Sequence, residues 1–524
     1  MAAPEQAIAP DRLRDEVREL TRELIRIDTS NPPGRESVAA EFLAGYLSEA
    51  GVEAELAGPD PERLSLIARV AGTGEGPSLM LMAHTDVVPA PDADWTVPPF
   101  AGELRDGRVI GRGAADMKGE LAARAVAFAA IARGEDPPAG DVLLLAESDE
   151  ERNTYDVGMS WLMRERADLR CDYALNEGGG ILLELAGGRR VVTISIGEKQ
   201  VASLRLRFHG RAGHASVPAG ADNVLARAAD AVRRLLSHDA PARLTPAIAA
   251  ALEGLGAPVA AGAEAAVEWA AGQHPVLAGM VPAMTRLTVT PTGLKTHEPA
   301  NVIPPFADVI CDCRALPGQG LDDVREHVER ALDGIEHELE LLEPLTGGTA
   351  SAIDTPLYRV CEEHVRERLP GAELLPVVTP GFTDSHWVRA AHGTVAYGFA
   401  PVFSTPLDVY LGGMLIKNSA QCASGASTTP YAYQLIVTEK ANSTLEIDQI
   451  TLEGATDCIM EGITLQTGRV RTMPSGNYSC GGTTSPVNIT DMRRTSNGGI
   501  ELAWTAPLGN GCIETGTFSG TPQQ

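Results

Sequence analysis

Apolar residues recur about every 3.6 positions over residues 12–28 and 36–50, and Gly51 stands where a helix C-cap is wanted. Shorter apolar runs follow: LSLIARVAG, SLMLMAHTDVVP and DVLLLAESDEE. The last two read as strands that end in polar residues. The Ala-rich stretch between them, beginning near Lys118, reads as a helix. Strand–helix–strand alternation predicts an α/β sheet covered by helices, with the chemistry in the loops beyond the strand ends.

A second pattern starts near residue 197. VASLRLRFHG alternates as a half-buried strand, and DNVLARAADAVRRLL is an amphipathic helix. MTRLTVTPTG and ADVICDCRAL then read as strands, LDDVREHVERAL as a helix and HELELLEP as a strand, a β-α-β-β-α-β unit. An Ala- and Gly-rich, helical insertion at 239–283 interrupts it. After residue 349 the chain returns to a helix, LYRVCEEHVRERL, and to loop and strand text as far as AYGFAP. Beyond Phe403, Thr, Ser, Gly and Asn dominate and helix signals vanish, so the tail is expected to be all-β. Its cysteines, Cys422, Cys458, Cys480 and Cys512, allow three disulfide connectivities. The expected boundaries are therefore 1–196, 197–348, 349–403 and 404–524.

Composition narrows the partners. Hydrophobic residues make up 44% of the 524, enough for packed domains, and the length calls for at least two of them. No stretch reaches the ~18 unbroken apolar residues of a membrane span. With 70 acidic against 43 basic residues the net charge is -27, a field that repels nucleic acid and anionic membranes. The first residues read as a short disordered lead into a charged helix. They lack a basic segment followed by an apolar core, so cytoplasmic localisation is expected. Cys171, Cys311, Cys313 and Cys361 are expected as reduced interior residues.

The candidate chemistry sits where the strands stop. His84 and Asp86 lie in AHTDVVP, Asp116 in GRGAADMKG at a helix head, Glu150 and Glu151 at the end of DVLLLAESDEE, and Glu177 in LNEGGG. One imidazole among several carboxylates suits Zn²⁺, or a pair of such ions sharing a carboxylate. Such ions acidify water and polarise a scissile carbonyl, and an adjacent carboxylate can carry the proton to a leaving nitrogen. Each piece alone is common in solvated loops; the ordered set, each member at a strand end or helix head, is not.

In order and context these motifs resemble the dinuclear-zinc aminoacylase/carboxypeptidase family, which includes acetylornithine deacetylase and succinyl-diaminopimelate desuccinylase. The resemblance covers roughly residues 12–403. It implies a zinc-exopeptidase-like catalytic domain with an inserted α+β lid and dimerisation domain, hence a homodimer formed through the lid. It further implies two Zn²⁺ per subunit, with Co²⁺ or Mn²⁺ as substitutes. His84, Asp116, Glu151 and Glu177 would hold metal, Asp116 bridging. Glu150 would be the general base and Asp86 the carboxylate that orients His84. GRAGHASVP resembles the lid motif, so His214 would stabilise an oxyanion, commonly in the partner subunit's site. Asn301 in PANVIPP and Arg314 in CDCRALPG match substrate-holding positions, and Arg314 is suited to grip a carboxylate with two parallel bonds. Thr383 and Asp384 form the family's T-D pair. The implied activity is hydrolysis of an amide or peptide bond in an N-acyl amino acid or small peptide with a free carboxylate.

The sequence departs from that pattern at its end. Relatives carry a late histidine ligand, whereas no histidine follows His392 here and the text after Pro401 runs into FSTPLDVYLGG. Three readings stay open. Residues 404–524 are a foreign segment that leaves an impaired hydrolase; or His386 or His392 supplies the ligand; or the protein is a non-catalytic binding scaffold that kept the fold.

Overall fold

The computed structural model describes residues 10–401 except 92–94, 96, 106, 154, 297 and 298, together with the strands between 408 and 521. The expected N-terminal lead (residues 1–9) and Cys422 lie outside the described residues.

A nine-stranded mixed sheet forms the larger unit. At its centre Leu79–His84 lies parallel to Val142–Glu147 on one side and to Tyr173–Asn176 on the other. Val395–Gly398 extends the parallel set beyond Tyr173–Asn176. Alternate side chains of these strands serve opposite faces, and both faces are covered. Leu81, Ala83, Leu144 and Ala146 face the helices Pro10–Arg26, Glu36–Glu49 and Lys118–Ala132, packing with Leu24, Leu43, Leu47, Leu121 and Phe128. Met80, Met82, Leu143 and Leu145 join Leu162 and Val388 of the helices Met159–Glu165 and Ser385–His392. The helix after the Asp116 loop begins at Lys118, whose buried ammonium donates to Leu24 O (3.1 Å) and Ile27 O (2.7 Å) and ties that loop to the first helix.

The smaller unit is a five-stranded sheet containing Thr288–Lys295, Phe306–Ala315, Gln200–His209 and Glu338–Leu341, in that order, with Thr346–Gly347 beside Gln200–His209. One face buries Leu204, Leu206, Phe208, Val309 and Cys311 against the helices Val224–Leu236 and Leu321–Ala331. The other face is polar: Arg207 holds Asp308 with two parallel bonds of 2.7 and 2.8 Å. The three helices of the 239–283 insertion region, Pro246–Gly254, Ala263–Ala271 and Pro275–Thr285, do not add to this unit. Ile248, Leu252, Val267 and Leu277 pack instead against Val191, Leu375, Val377 and Val378 of the large sheet.

Glu198 and Lys199 join the two sheets. Glu198 accepts from Thr349 N (2.8 Å) and Thr349 Oγ1 (2.7 Å) and pairs with buried Arg389. The Lys199 ammonium donates to Ala283 O (3.0 Å) and Arg286 O (2.8 Å) around the end of the helix Pro275–Thr285, where a cation suits the helix dipole. Two fully buried, oppositely charged residues thus clamp the insertion and the return crossing onto one strand junction.

Beyond residue 407, antiparallel strands from Asp408–Ser419 to Cys512–Thr521 close into a barrel, the first paired with the last. Their register sets Cys458 opposite Cys480. Cys171, Cys311, Cys313 and Cys361 are all free and buried, and burial pushes the Cys171 thiol up to about 11.

Candidate metal centre

Three adjacent parallel strands end at one edge of the large sheet, and their register aligns His84 with Glu147. Each delivers polar groups there: His84 from the first, the Glu150–Glu151 turn beyond the second and Glu177 after the third. Asp116 enters from the loop before Lys118. The neighbouring strand must come close to complete this edge. A Cβ on Gly398 would lie 1.9 Å from Glu177 O, so only glycine fits there.

His84 is buried. Its Nδ1 lies 2.9 Å from Asp86 O and 3.4 Å from Asp86 Oδ1, which turns Nε2 outward. Nε2 lies 3.0 Å from Asp116 Oδ1 and 3.9 Å from Glu177 Oε2. These three donors lie within 4.8 Å of one another. Two ligands on a tetrahedral ion with bonds of ~2.1 Å are about 3.4 Å apart, between the two observed separations. Asp116 is exposed, so the group opens to solvent.

The electrostatics also call for a cation. Burial pushes Glu147 up to about 8 and Glu177 up to about 7. Glu150 is held well above the usual carboxylate range by burial and then by the charge of Glu177. Burial, followed by the charge of Glu147, does the same to Asp384. Glu147 Oε1, Asn176 Oδ1 and Asp384 Oδ2 are buried acceptors without a donor among the described residues. Like-charged, desolvated carboxylates with spare lone pairs are what a divalent ion relieves.

Asp86 is fully buried and accepts from Glu150 N (3.2 Å), Glu151 N (3.1 Å) and Asn31 Nδ2 (2.8 Å). It therefore holds the imidazole and the glutamate turn together. Burial opposes its charge, but the hydrogen bond and charge of His84 prevail and keep it below the ordinary range. Glu151 is not in the three-donor group. Its Oε1 accepts from Val88 N at 3.2 Å. Neither His386 nor His392 joins the group. His386 Nδ1 lies 3.3 Å from Thr349 Oγ1 and 3.6 Å from Glu198 Oε1. His392 Nε2 is buried without a partner among the described residues, at the far end of its helix.

Glu150 and Glu151 line a cavity of about 750 Å³ whose walls include Asn153, Val201, Arg314, Phe382 and Trp387. Arg314 is held by Asp312 through bonds of 2.8 and 3.0 Å. His214 and Asn301 stand elsewhere. His214 pairs with Val302 in the ribbon Gly213–His214/Val302–Ile303, and Asn301 O accepts from Ala215 N (2.9 Å). Both are exposed and neither lines this cavity.

Sequence reasoning missed the residues that brace the glutamate turn. Asp149 has φ +65°. Its Oδ2 accepts from Tyr155 N (3.0 Å), and its Oδ1 from Asn31 Nδ2 (3.0 Å) and Arg63 Nη2 (3.1 Å). Arg63 also grips buried Glu36, with Nε at 3.2 and 3.0 Å from its two oxygens, and lies over the Tyr155 ring. Gly34 makes room for it, since a Cβ there would meet Arg63 Nε at 2.3 Å. The available signal was an acidic residue directly before Glu150 and an Asn-Pro-Pro loop.

Comparison with known proteins places these features in context. The family described as Peptidase family M20/M25/M40 matches residues 80–405. Human N-fatty-acyl-amino acid synthase/hydrolase is 29% identical over 357 residues, covering 64% of this chain and 69% of that protein. Succinyl-diaminopimelate desuccinylase of Rhodospirillum centenum is 39% identical over 186 residues, or 34% of this chain, which spans 45% of that relative's length. Among solved structures, an M20-family metallo-carboxypeptidase from Sulfolobus solfataricus superposes with a TM-score of 0.56 at 20% identity, covering 74% of this chain and 91% of that one. Human carnosine dipeptidase 1 gives 0.55 at 16%, covering 74% and 89%. At these identities the structures establish the fold.

Proposed function

The chain belongs to peptidase family M20/M25/M40, and from that membership we propose that it is a metal-dependent hydrolase of N-acyl amino acids or small peptides with a free carboxylate. The observation that carries this reading is the three-donor group His84, Asp116 and Glu177 near Glu150, a glutamate that lines a cavity shared with Arg314.

His84, Asp116 and Glu177 would hold a divalent cation, zinc being favoured by the mixed nitrogen and oxygen donors. Such an ion supplies Lewis-acid polarisation and makes water more acidic. Glu150 takes a proton from the attacking water and returns it to the leaving nitrogen, so that a C–O bond forms as the C–N bond breaks. Asp86 positions His84 from behind and fixes the turn that carries Glu150. Arg314 binds the substrate carboxylate. His214 and Asn301, exposed on one ribbon, complete the oxyanion and substrate contacts of a partner subunit in a lid-mediated homodimer. Glu151 Oε1 accepts from Val88 N, so a second ion would be reached through Oε2. With no imidazole beyond His84 in the group, occupancy by one ion is the reading that the described residues favour.

That last observation supports a second reading, in which the fold binds a ligand without turning it over. One experiment separates the two: a panel of N-acyl amino acids and dipeptides assayed with added Zn²⁺ or Co²⁺, for wild type and Glu150→Gln. Turnover that Glu150→Gln lowers by about 10²–10⁴ supports the hydrolase. A wild type inert on the whole panel leaves only the binding protein.

A further inference from the structure

Cys458 and Cys480 stand at the open end of one hairpin of the C-terminal barrel. Its strands, Thr456–Thr467 and Val470–Cys480, are antiparallel, and next to the turn Thr467 pairs with Val470. Continued unbroken from there, that register would set Cys458 opposite Ser479. A shift between Ile463 and Leu465 takes up one residue, and beyond it the pairing runs without a break from Ile463 with Ser475 to Cys458 with Cys480. Successive residues of a strand serve opposite faces, so a slip of one residue exchanges the faces. The register shift is therefore what puts the two cysteines directly opposite each other on one face of the sheet.

Residues directly opposite in an antiparallel pair have Cα atoms about 4.5 or 5.5 Å apart, and both separations fall in the range a disulfide spans. On their outer sides the two cysteines pair with Gln449 and Thr483. The other barrel cysteine among the described residues, Cys512, begins the strand Cys512–Thr521, three strand positions around the barrel from Val470–Cys480. At about 4.8 Å per position that is roughly 11 Å straight across, beyond a disulfide's reach of about 7 Å. Cys171, Cys311, Cys313 and Cys361 are buried as free thiols. We propose that Cys458 and Cys480 form a disulfide that fastens the open end of this hairpin, made by exchange with an oxidant of the disulfide class. One thiolate attacks the oxidant and releases a thiol, and the second displaces the other thiol from the mixed disulfide. Two protons and two electrons leave the pair, and one S–S bond forms for the one that breaks. The bond encloses 21 residues, and closing a loop of that length disfavours opening of the hairpin by on the order of 10²-fold. It stands apart from the hydrolase reading and involves no turnover.

The test equilibrates the full chain with excess oxidised glutathione, alkylates free thiols and digests with trypsin without reduction. Arg469 and Arg471 lie between the two cysteines, so trypsin leaves their peptides joined only through the bond. Mass spectrometry should find the Cys458 peptide linked to the Cys480 peptide as the main product. Free thiols at both positions, or either cysteine joined mainly to any other partner, overturn the proposal. Cys480→Ser/Ser479→Cys keeps the number of cysteines and moves one of them a single residue, onto the other face. The yield of the linked peptides should fall at least tenfold; an unchanged yield means that register does not select the pair and overturns the inference. Amide exchange across the two strands should be slower in the oxidised wild type than in Cys458→Ser/Cys480→Ser by up to about 10²-fold. Equal rates overturn the fastening.

Discussion

Replacing Arg63 by Met should destabilise the protein strongly at pH 7.5 and weakly at pH 5. Arg63 is 4% exposed and Glu36 is fully buried. The substitution keeps most of the aliphatic stem and removes the guanidinium, leaving Glu36 without its cation and Asp149 without one of its donors. Breaking a buried pair from one side costs about 3–5 kcal/mol when the remaining charge cannot escape. Here the escape is protonation. Burial already raises Glu36 above the ordinary carboxylate range against the opposing hydrogen bond from Arg63. Without Arg63 its folded pKa rises further above the unfolded value of about 4.3. The native state then holds the extra proton, so stability falls as pH rises from about 4.3 towards the folded pKa. Protonation caps the Glu36 share of the loss at about 4 kcal/mol at pH 7.5 and about 1 kcal/mol at pH 5, from 1.36 kcal/mol per pH unit. Urea unfolding followed by circular dichroism at both pH values measures the difference, and Arg63→Met/Glu36→Gln should recover most of it. Equal losses at the two pH values, or a double variant no better than the single one, would refute the account.

Three further outcomes are expected. Arg314→Lys should raise KM for carboxylate-bearing substrates by about tenfold or more with circular dichroism unchanged, because one ammonium cannot reproduce a two-bond grip; an unchanged KM removes Arg314 from the substrate site. Metal analysis of the purified chain should give one zinc, chelation should lower Tm, and a cation at 100 times its Kd should restore about 2.7 kcal/mol; His84→Ala should abolish that response, and two tightly held ions would reject the one-ion reading. Lys199 is pushed down to about 8 by burial, whereas the unfolded chain titrates near 10.4. Because the unfolded state binds more protons between those values, wild-type stability relative to Lys199→Met should rise over that window by at most about 3 kcal/mol; a flat difference contradicts it.

How far the site was legible depended on the range of the contacts involved. Strand ends at His84 and Glu147, the helix head at Lys118 and the β-α-β-β-α-β order are written in local periodicity, because side chains on one face of one element are neighbours in sequence. The residue types at those ends, one imidazole among carboxylates, pointed to a candidate cation site, and three of them lie together. By contrast, Asn31 reaches Asp86 across 55 residues and Asp149 across 118, contacts that no local pattern encodes. The insertion is amphipathic whichever sheet it covers, and only the apolar strip at Val191, Leu375 and Val377 decided its place. Adjacent glutamates look equivalent in sequence. It took the backbone of the turn to send Glu151 towards Val88 N and leave Glu150 beside Glu177. Sequence by itself determined the elements and the donor types, which follow from one-dimensional spacing. Tertiary structure decided which donors converge and how the turn that carries Glu150 is braced, because those depend on packing between elements.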